Sequence, residues 1–234
     1  MDLCNEKDIR ALLGRHGFRF SKSMGQNFLI EGWVPRDIAE ASGAGPDTGV
    51  LEIGPGIGPL TVQLARRAAK VAAIELDRTL YPILAETLAP YPNAEVVPGD
   101  AMKLDLAALV SDKFSGLTVI ACANLPYNIT TPVLTALIEA GCFSFITVMI
   151  QREVALRICA APGSSDYGAF SVFCQYHTQP ELLFEVGPEC FLPAPKVTSA
   201  VIRLVPRSAP PQNLVDESFF FQVVRASFAQ RRKT

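Results

Sequence analysis

The residues with the means to do chemistry are spaced at intervals along the first half of the chain. Glu52-Ile53-Gly54-Pro55-Gly56-Ile57-Gly58 closes the apolar run at 50–53, Glu75 follows 71–74, Asp100 follows 94–97, and Asn124 follows 117–123. Each of these polar residues stands where a strand-like segment ends. Glycines at 54, 56 and 58 allow backbone conformations closed to other residues, so a ligand can lie almost against the main chain. Glu75, one strand further on, is placed to accept hydrogen bonds from both hydroxyls of a ribose. A glycine turn alone fits any tight strand-to-helix connection. With Glu75 added, it points to a nucleotide-like cofactor.

These residues need a scaffold that gathers strand ends. Apolar runs at 50–53, 71–74, 94–97, 117–123 and 145–150 alternate with helices expected over 60–69, 78–88, 132–139 and 151–160. That rhythm predicts an α/β fold with a doubly wound, mostly parallel sheet. The run at 117–123 is nearly all apolar and reads as buried on both faces. Periodicity does not choose between helix and strand at 169–176. Strands at 181–186 and 197–205 break the alternation and suit an antiparallel hairpin at one sheet edge. Upstream, a helix is expected over 5–13, with Asn5 as N-cap, Asp8 at the capping-box position and Gly14 as the stop, and another over 31–42. A Pro-rich linker at 206–211 leads to a helix capped by Asp216 or Ser218, with Phe221, Val224 and Phe228 on one stripe. That helix either opens a second, helical domain or packs back on the first.

The bulk properties narrow the class. The chain has 234 residues, a hydrophobic fraction of 49%, a charged fraction of 19% and a net charge of -2. These are the values of a folded domain with a sizeable core and an appendage. Cys4, Cys122, Cys142, Cys159, Cys174 and Cys190 form no Cys-x-x-Cys pair, and the histidines are His16 and His177. Zinc and redox sites are therefore not expected, and the thiols read as reduced and mostly buried. No apolar run reaches membrane-spanning length and the first residues are polar, so a cytoplasmic location is expected. The net charge argues against binding nucleic acid by bulk electrostatics. The clusters Arg15, His16, Arg19, Lys22 and Arg225, Arg231, Arg232, Lys233 read as solvated surface.

Spacing separates two cofactor classes. A dinucleotide fingerprint needs a third glycine three residues after Gly56, where this chain has Pro59. The pattern Glu-x-Gly-x-Gly-x-Gly instead resembles the first motif of S-adenosylmethionine-dependent methyltransferases. Three further motifs accompany it: Gly-Gln-Asn-Phe-Leu at 25–29, Asn-Leu-Pro-Tyr at 124–127 and Phe-x-Pro-x-Pro-Lys-Val-x-Ser-Ala at 191–200. Together, and in this order, they make the chain from about 22 to 233 closely resemble the ribosomal RNA small-subunit adenine N6,N6-dimethyltransferase family. The resemblance implies a Rossmann-like class I methyltransferase fold with a seven-stranded, mostly parallel sheet, helices on both faces and an antiparallel edge strand. It also implies a catalytic domain over 1–205, a linker at 206–215, and at 216–234 the start of a truncated helical domain.

By that resemblance, Asn27 and the backbone at Leu29 close over the methionine end of S-adenosylmethionine, Gly54 and Gly56 run beside it, and Gln26 is a further cofactor-binding residue. Glu75 meets the ribose, Asp100 and Ala101 the adenine, and Leu76 is a further cofactor-binding residue. Catalysis falls to Asn124, Leu125, Pro126, Tyr127 and Phe191. The Asn124 amide oxygen and the Leu125 carbonyl accept from the target amino group, Pro126 presets the loop, and Tyr127 and Phe191 stack on an unpaired base. The implied partner is a small-ribosomal-subunit precursor and its RNA, dimethylated at two adjacent adenosines of a hairpin loop. No metal or membrane is involved, and the protein is expected to be monomeric. The alternatives are a large-subunit RNA methyltransferase of the macrolide-resistance type and a ribosome-assembly factor whose gating does not depend on methylation.

Overall fold

A computed structural model describes residues 1–18, 26–209, 211 and 214–229 of the chain. Its strands are β1 (Phe28–Leu29), β2 (Thr48–Ile53), β3 (Lys70–Glu75), β4 (Ala94–Pro98), β5 (Thr118–Asn124), β6 (Ile146–Gln151), β7 (Thr178–Val186), β8 (Phe191–Leu192) and β9 (Ser199–Pro206). Its α-helices are α1 (Glu6–Arg15), α2 (Trp33–Ala41), α3 (Pro59–Ala65), α4 (Tyr81–Leu88), α5 (Leu106–Lys113), α6 (Thr130–Glu139), α7 (Arg152–Cys159), α8 (Ala169–His177) and α9 (Glu217–Ala229).

Seven strands form one sheet in the order β4-β3-β2-β5-β6-β9-β7. The first five are parallel, and β9 runs antiparallel to both β6 and β7. The hairpin read from the sequence thus forms one edge of the sheet. The chain order reverses direction between β2 and β5, and such switch points open a crevice at the carboxyl ends of the strands.

Alternating side chains divide the core. Val50, Val71, Ile120 and Cys122 face α2 and α3 through Ile38 and Leu64. Leu51, Ala72 and Ala121 face α5, α6 and α7 through Val110, Leu134 and Ile158. A third cluster packs Ile9 and Leu12 of α1 against Ile83 and Leu84 of α4 and Ile57 of the glycine turn. The N-terminal helix therefore braces that turn from outside.

Local signals explain most boundaries, and the structure corrects some of them. Asn5 caps α1, its side chain accepting from the backbone of Lys7 and Asp8. Gly14 does not stop the helix, which runs to Arg15; Gly17, at φ 62°, supplies the left-handed turn instead. Asp8 reaches back to the Asp2 N–H rather than to the cap residue. The helix after the glycine turn ends at Ala65, four residues short of expectation. The ambiguous run at 169–176 is helical, as α8. The structure also contains α5, which the strand-helix rhythm left unassigned. Asp105 caps it by accepting from Ala108 N–H at 2.9 Å.

α9 lies back on α8 through aromatic rings, with Phe221 at 5.6 Å from Phe173 and 5.4 Å from Tyr176. His177 stacks on the same ring at 5.6 Å. The opposite side of α9 leaves Phe219 and Val223 exposed.

Candidate active site

The four strand ends singled out in the sequence converge on one cavity of about 250 Å³. Its lining includes every site residue read from the sequence: Gln26, Asn27, Leu29, Gly54, Gly56, Glu75, Leu76, Asp100, Ala101, Asn124, Leu125, Pro126, Tyr127 and Phe191. Of the expected motif residues, Gly25 lies outside the described residues.

The floor is the glycine turn. Gly54 at φ 70°, Gly56 at φ 61° and Gly58 at φ 95° all adopt the left-handed region. The Gly54 N–H is tied to the Ile74 carbonyl at 2.9 Å, and Gly58 N–H to that of Pro55 at 2.9 Å. A Cβ added at Gly54 would meet nothing within 4 Å, so the turn offers open space against bare backbone.

Glu75 ends β3 and is 6% exposed. Its carboxylate accepts from Asp77 N–H at 2.8 Å and, more loosely, from Gly56 N–H at 3.4 Å. Burial raises its pKa, and those backbone donors oppose the rise. The acid is thus held in place from both the turn and the following loop. Asp77 in turn accepts from the Gln26 amide at 2.7 Å, which fastens the N-terminal segment over the cavity. Asp100 accepts from Met102 N–H at 3.0 Å, and Gly99 N–H bonds the Glu75 carbonyl at 3.0 Å, which ties the two strand ends to each other. Leu76 and Met102 leave large apolar side chains exposed at this rim.

On the other side, Asn124 closes β5 and Leu125 donates its N–H to the Met149 carbonyl at 3.1 Å. Pro126 has φ -57° and ψ 134°, an extended geometry that turns the chain into the short 3-10 segment Tyr127–Ile129. The Tyr127 hydroxyl meets Ser199 Oγ at 2.7 Å. Burial raises the Tyr127 pKa, with that hydrogen bond opposing. Phe191 is 3% exposed and forms an inner wall, while the half-buried Tyr127 offers the open face. The two-stranded ribbon β1-β8 pairs Phe28 with Leu192 and Leu29 with Phe191, joining the two halves of the roof.

Sequence reasoning gave no role to three residues of this site, Glu52 and Ser199 being read only as members of their motifs and Asp77 not at all. Glu52 also lines the cavity and is 1% exposed, and its Oε2 has no hydrogen-bond partner. Its signal was a carboxylate inside an otherwise apolar strand. Asp77 carried a cap signature, accepting from Thr79 N–H at 3.0 Å. Ser199 stood within the 191–200 motif, but its partner, 72 residues away, left no local trace. Of the two basic clusters, Arg15 and His16 both bind Glu86, His16 at 2.7 Å; Arg19, Lys22, Arg231, Arg232 and Lys233 lie outside the described residues. Among the described residues there is no group of three or more potential metal ligands, and no helix is long and apolar enough to cross a membrane. All six cysteines are free, three of them buried.

A seven-stranded sheet in this order, with a glycine turn at its switch point and a buried acid ending the neighbouring strand β3, belongs to a Rossmann-like methyltransferase of the S-adenosylmethionine-dependent class. Residues 17–234 match the model of the family described as ribosomal RNA adenine dimethylase, and the chain belongs to that family. It is 48% identical over its whole length to ribosomal RNA small subunit methyltransferase A of Geobacillus sp. (strain WCH70), spanning 81% of that protein. Against the protein of the same name from Bacillus mycoides (strain KBAB4) it is 47% identical and spans 80%. Among solved structures it resembles a dimethyladenosine transferase from Plasmodium falciparum, with TM-score 0.74 and 30% identity over 88% of this chain and 72% of that one. The 23S rRNA methyltransferase ErmE gives TM-score 0.72 and 30% identity over 89% and 81%.

Proposed function

We propose that this enzyme transfers methyl groups from S-adenosylmethionine to the N6 amino groups of two adjacent adenosines in a hairpin loop of small-subunit ribosomal RNA, during assembly of the particle in the cytoplasm. The observation that carries the reading is the single cavity at the β2/β5 switch point. It joins an acid-lined nucleoside half to the Asn-Leu-Pro-Tyr loop.

The residues present suit this cofactor. Open space beside Gly54 admits a ligand against the backbone, and the buried Glu75 and half-buried Asp100 are acceptors for ribose hydroxyls and an adenine amino group. Leu76 and Met102 supply apolar surface for the ring, and Gln26, Asn27 and Leu29 border the opposite end. When bound, the cofactor supplies an electrophilic sulfonium methyl.

The protein's part is orientation. An adenine amino nitrogen has its lone pair delocalised into the ring and is a weak nucleophile. The Asn124 side-chain oxygen and the Leu125 carbonyl hold its hydrogens and favour a pyramidal nitrogen facing the methyl group. Pro126 fixes that loop before substrate arrives, so little reorganisation remains for the transition state. Tyr127 and Phe191 flank a base that must be unpaired or flipped out, each stacking contact contributing about 1–3 kcal/mol. We assign residues 1–205 to this catalytic unit and 206–215 to a linker. α9 is the first helix of a module that contacts the particle. The enzyme acts as a monomer without metal.

The test is transfer of labelled methyl to undermethylated small and large ribosomal subunits in parallel, with the RNA digested to nucleosides. Dimethyladenosine from the small subunit is the expected result. Label confined to the large subunit overturns the substrate assignment in favour of the activity named for the ErmE structure.

A further inference from the structure

We propose that Glu52 is a charge-sensing positioning residue: its buried carboxyl releases a proton to water when the cationic methyl donor enters and regains one when only the neutral demethylated product remains. The site thereby holds donor in preference to product. This rests on the cofactor reading above.

The geometry starts with an acid in an apolar strand. Glu52 sits on β2 between Leu51 and Ile53, both buried, and its cross-strand neighbours are Ala73 and Cys122. Among the described residues, the groups that act on it carry no positive charge. From α3 the Thr61 hydroxyl faces it and favours ionisation, yet neither Thr61 Oγ1 nor Glu52 Oε2 completes a hydrogen bond. From β3 the Glu75 carboxyl opposes ionisation. From β5 the Cys122 thiol, itself held neutral by burial and then by Glu52, contributes nothing. Ser42, at the end of α2, bonds Cys122 rather than Glu52.

Burial, the largest effect, lifts the Glu52 pKa to about 8. A buried carboxylate without a cation is costly, and proteins ordinarily pair it or leave it neutral. Four carboxyls, those of Glu52, Glu75, Asp77 and Asp100, border the cavity, and among the described residues no cation acts on Glu52. In this proposal the counter-charge arrives with the ligand. S-adenosylmethionine carries a net positive charge at its sulfonium, which S-adenosylhomocysteine lacks. A positive charge within several ångströms in a low-dielectric cavity favours the ionised acid. Glu75, beside the ribose, feels the same charge, so the share that belongs to Glu52 is the part of the difference that disappears in Glu52→Gln.

Calorimetric titration of the full chain at pH 7, with each ligand in two buffers of different ionisation enthalpy, counts the protons released. A carboxyl ionising at about 8 is about 90% protonated at pH 7. Through Glu52, donor binding should therefore release up to about 0.9 proton more than product binding. Donor affinity should rise by up to about tenfold per pH unit below pH 8 and level off above it, while product affinity stays flat. In Glu52→Gln, an uncharged isostere, the extra proton should vanish and the donor-to-product preference should fall about tenfold. Equal proton release for the two ligands in the wild-type chain overturns the proposal, and does so even if the variant fails to fold. Absence of donor binding altogether would instead remove the cofactor reading, and this inference with it.

Discussion

The hydroxyl of Tyr127 and Oγ of Ser199 lie 2.7 Å apart, linking the loop after β5 to the first residue of β9. Ser199 is fully buried, so water cannot replace it from that side. Tyr127 is only half-buried, and solvent can recover part of its bonding capacity. The loss in Ser199→Ala should therefore be near the middle of the usual range, about 1 kcal/mol. Tyr127→Phe should cost a similar amount, and the double variant should fall short of the sum by about 1 kcal/mol, which urea denaturation of the four proteins would measure. The same bond fixes the ring that we assign to the target base. Methyl transfer per encounter with undermethylated subunits should therefore drop about fivefold in either single variant, with little further loss in the double. Strict additivity in both assays would refute the reasoning, because it would mean that Ser199 and Tyr127 act independently.

Glu75→Ala removes a charged acceptor worth about 1.5–3 kcal/mol, and calorimetry should show S-adenosylmethionine binding weakened by about one to two orders of magnitude. In Gly49→Ala, the new Cβ would fall 2.4 Å from Phe114 Cδ1 and 2.7 Å from Cγ, so the urea midpoint should drop by the equivalent of about 1–3 kcal/mol. The Glu52 contribution to the stability of the unliganded protein should decline as pH rises. The folded state binds the Glu52 proton up to about pH 8, whereas the unfolded chain releases it in the ordinary carboxyl range. The slope is therefore negative between those values, at most about 1.4 kcal/mol per pH unit from Glu52, and melting curves of Glu52→Gln should flatten by that contribution. Phe221→Ala should loosen α9 from α8, seen as faster amide exchange in 217–229 with cofactor affinity unchanged.

The parts legible in the sequence were those with short-range signals. The β2 run and its glycine turn declare both an element and its special backbone, and Glu75, Asp100 and Asn124 could be read because each ends a strand. What resisted reading depended on distant partners or on competing local cues. Gly14 had the right type for a helix stop, but Arg15 and His16 still follow before the chain needs a left-handed turn, and Gly17 provides it. Two-residue strands such as β1 and β8 carry no alternation to detect. The unpartnered oxygen of Glu52 exists only once α3 covers β2. The Asp105 cap of α5 was a local signal, overshadowed by the next apolar run.

The β1-β8 ribbon has a consequence for how the protein comes into being. It bonds Phe28 and Leu29 to Phe191 and Leu192, residues that lie nearly the whole domain apart in the chain. Contacts of such separation close late, since the intervening segment must be ordered before they add stability. During synthesis the first helices and the glycine turn emerge long before Phe191 does. The roof of the cavity is therefore among the last parts assembled. Ligand capture then reports completion of the entire unit, so a nascent or nicked chain would betray itself by failing to retain its small molecule well before it lost its helices.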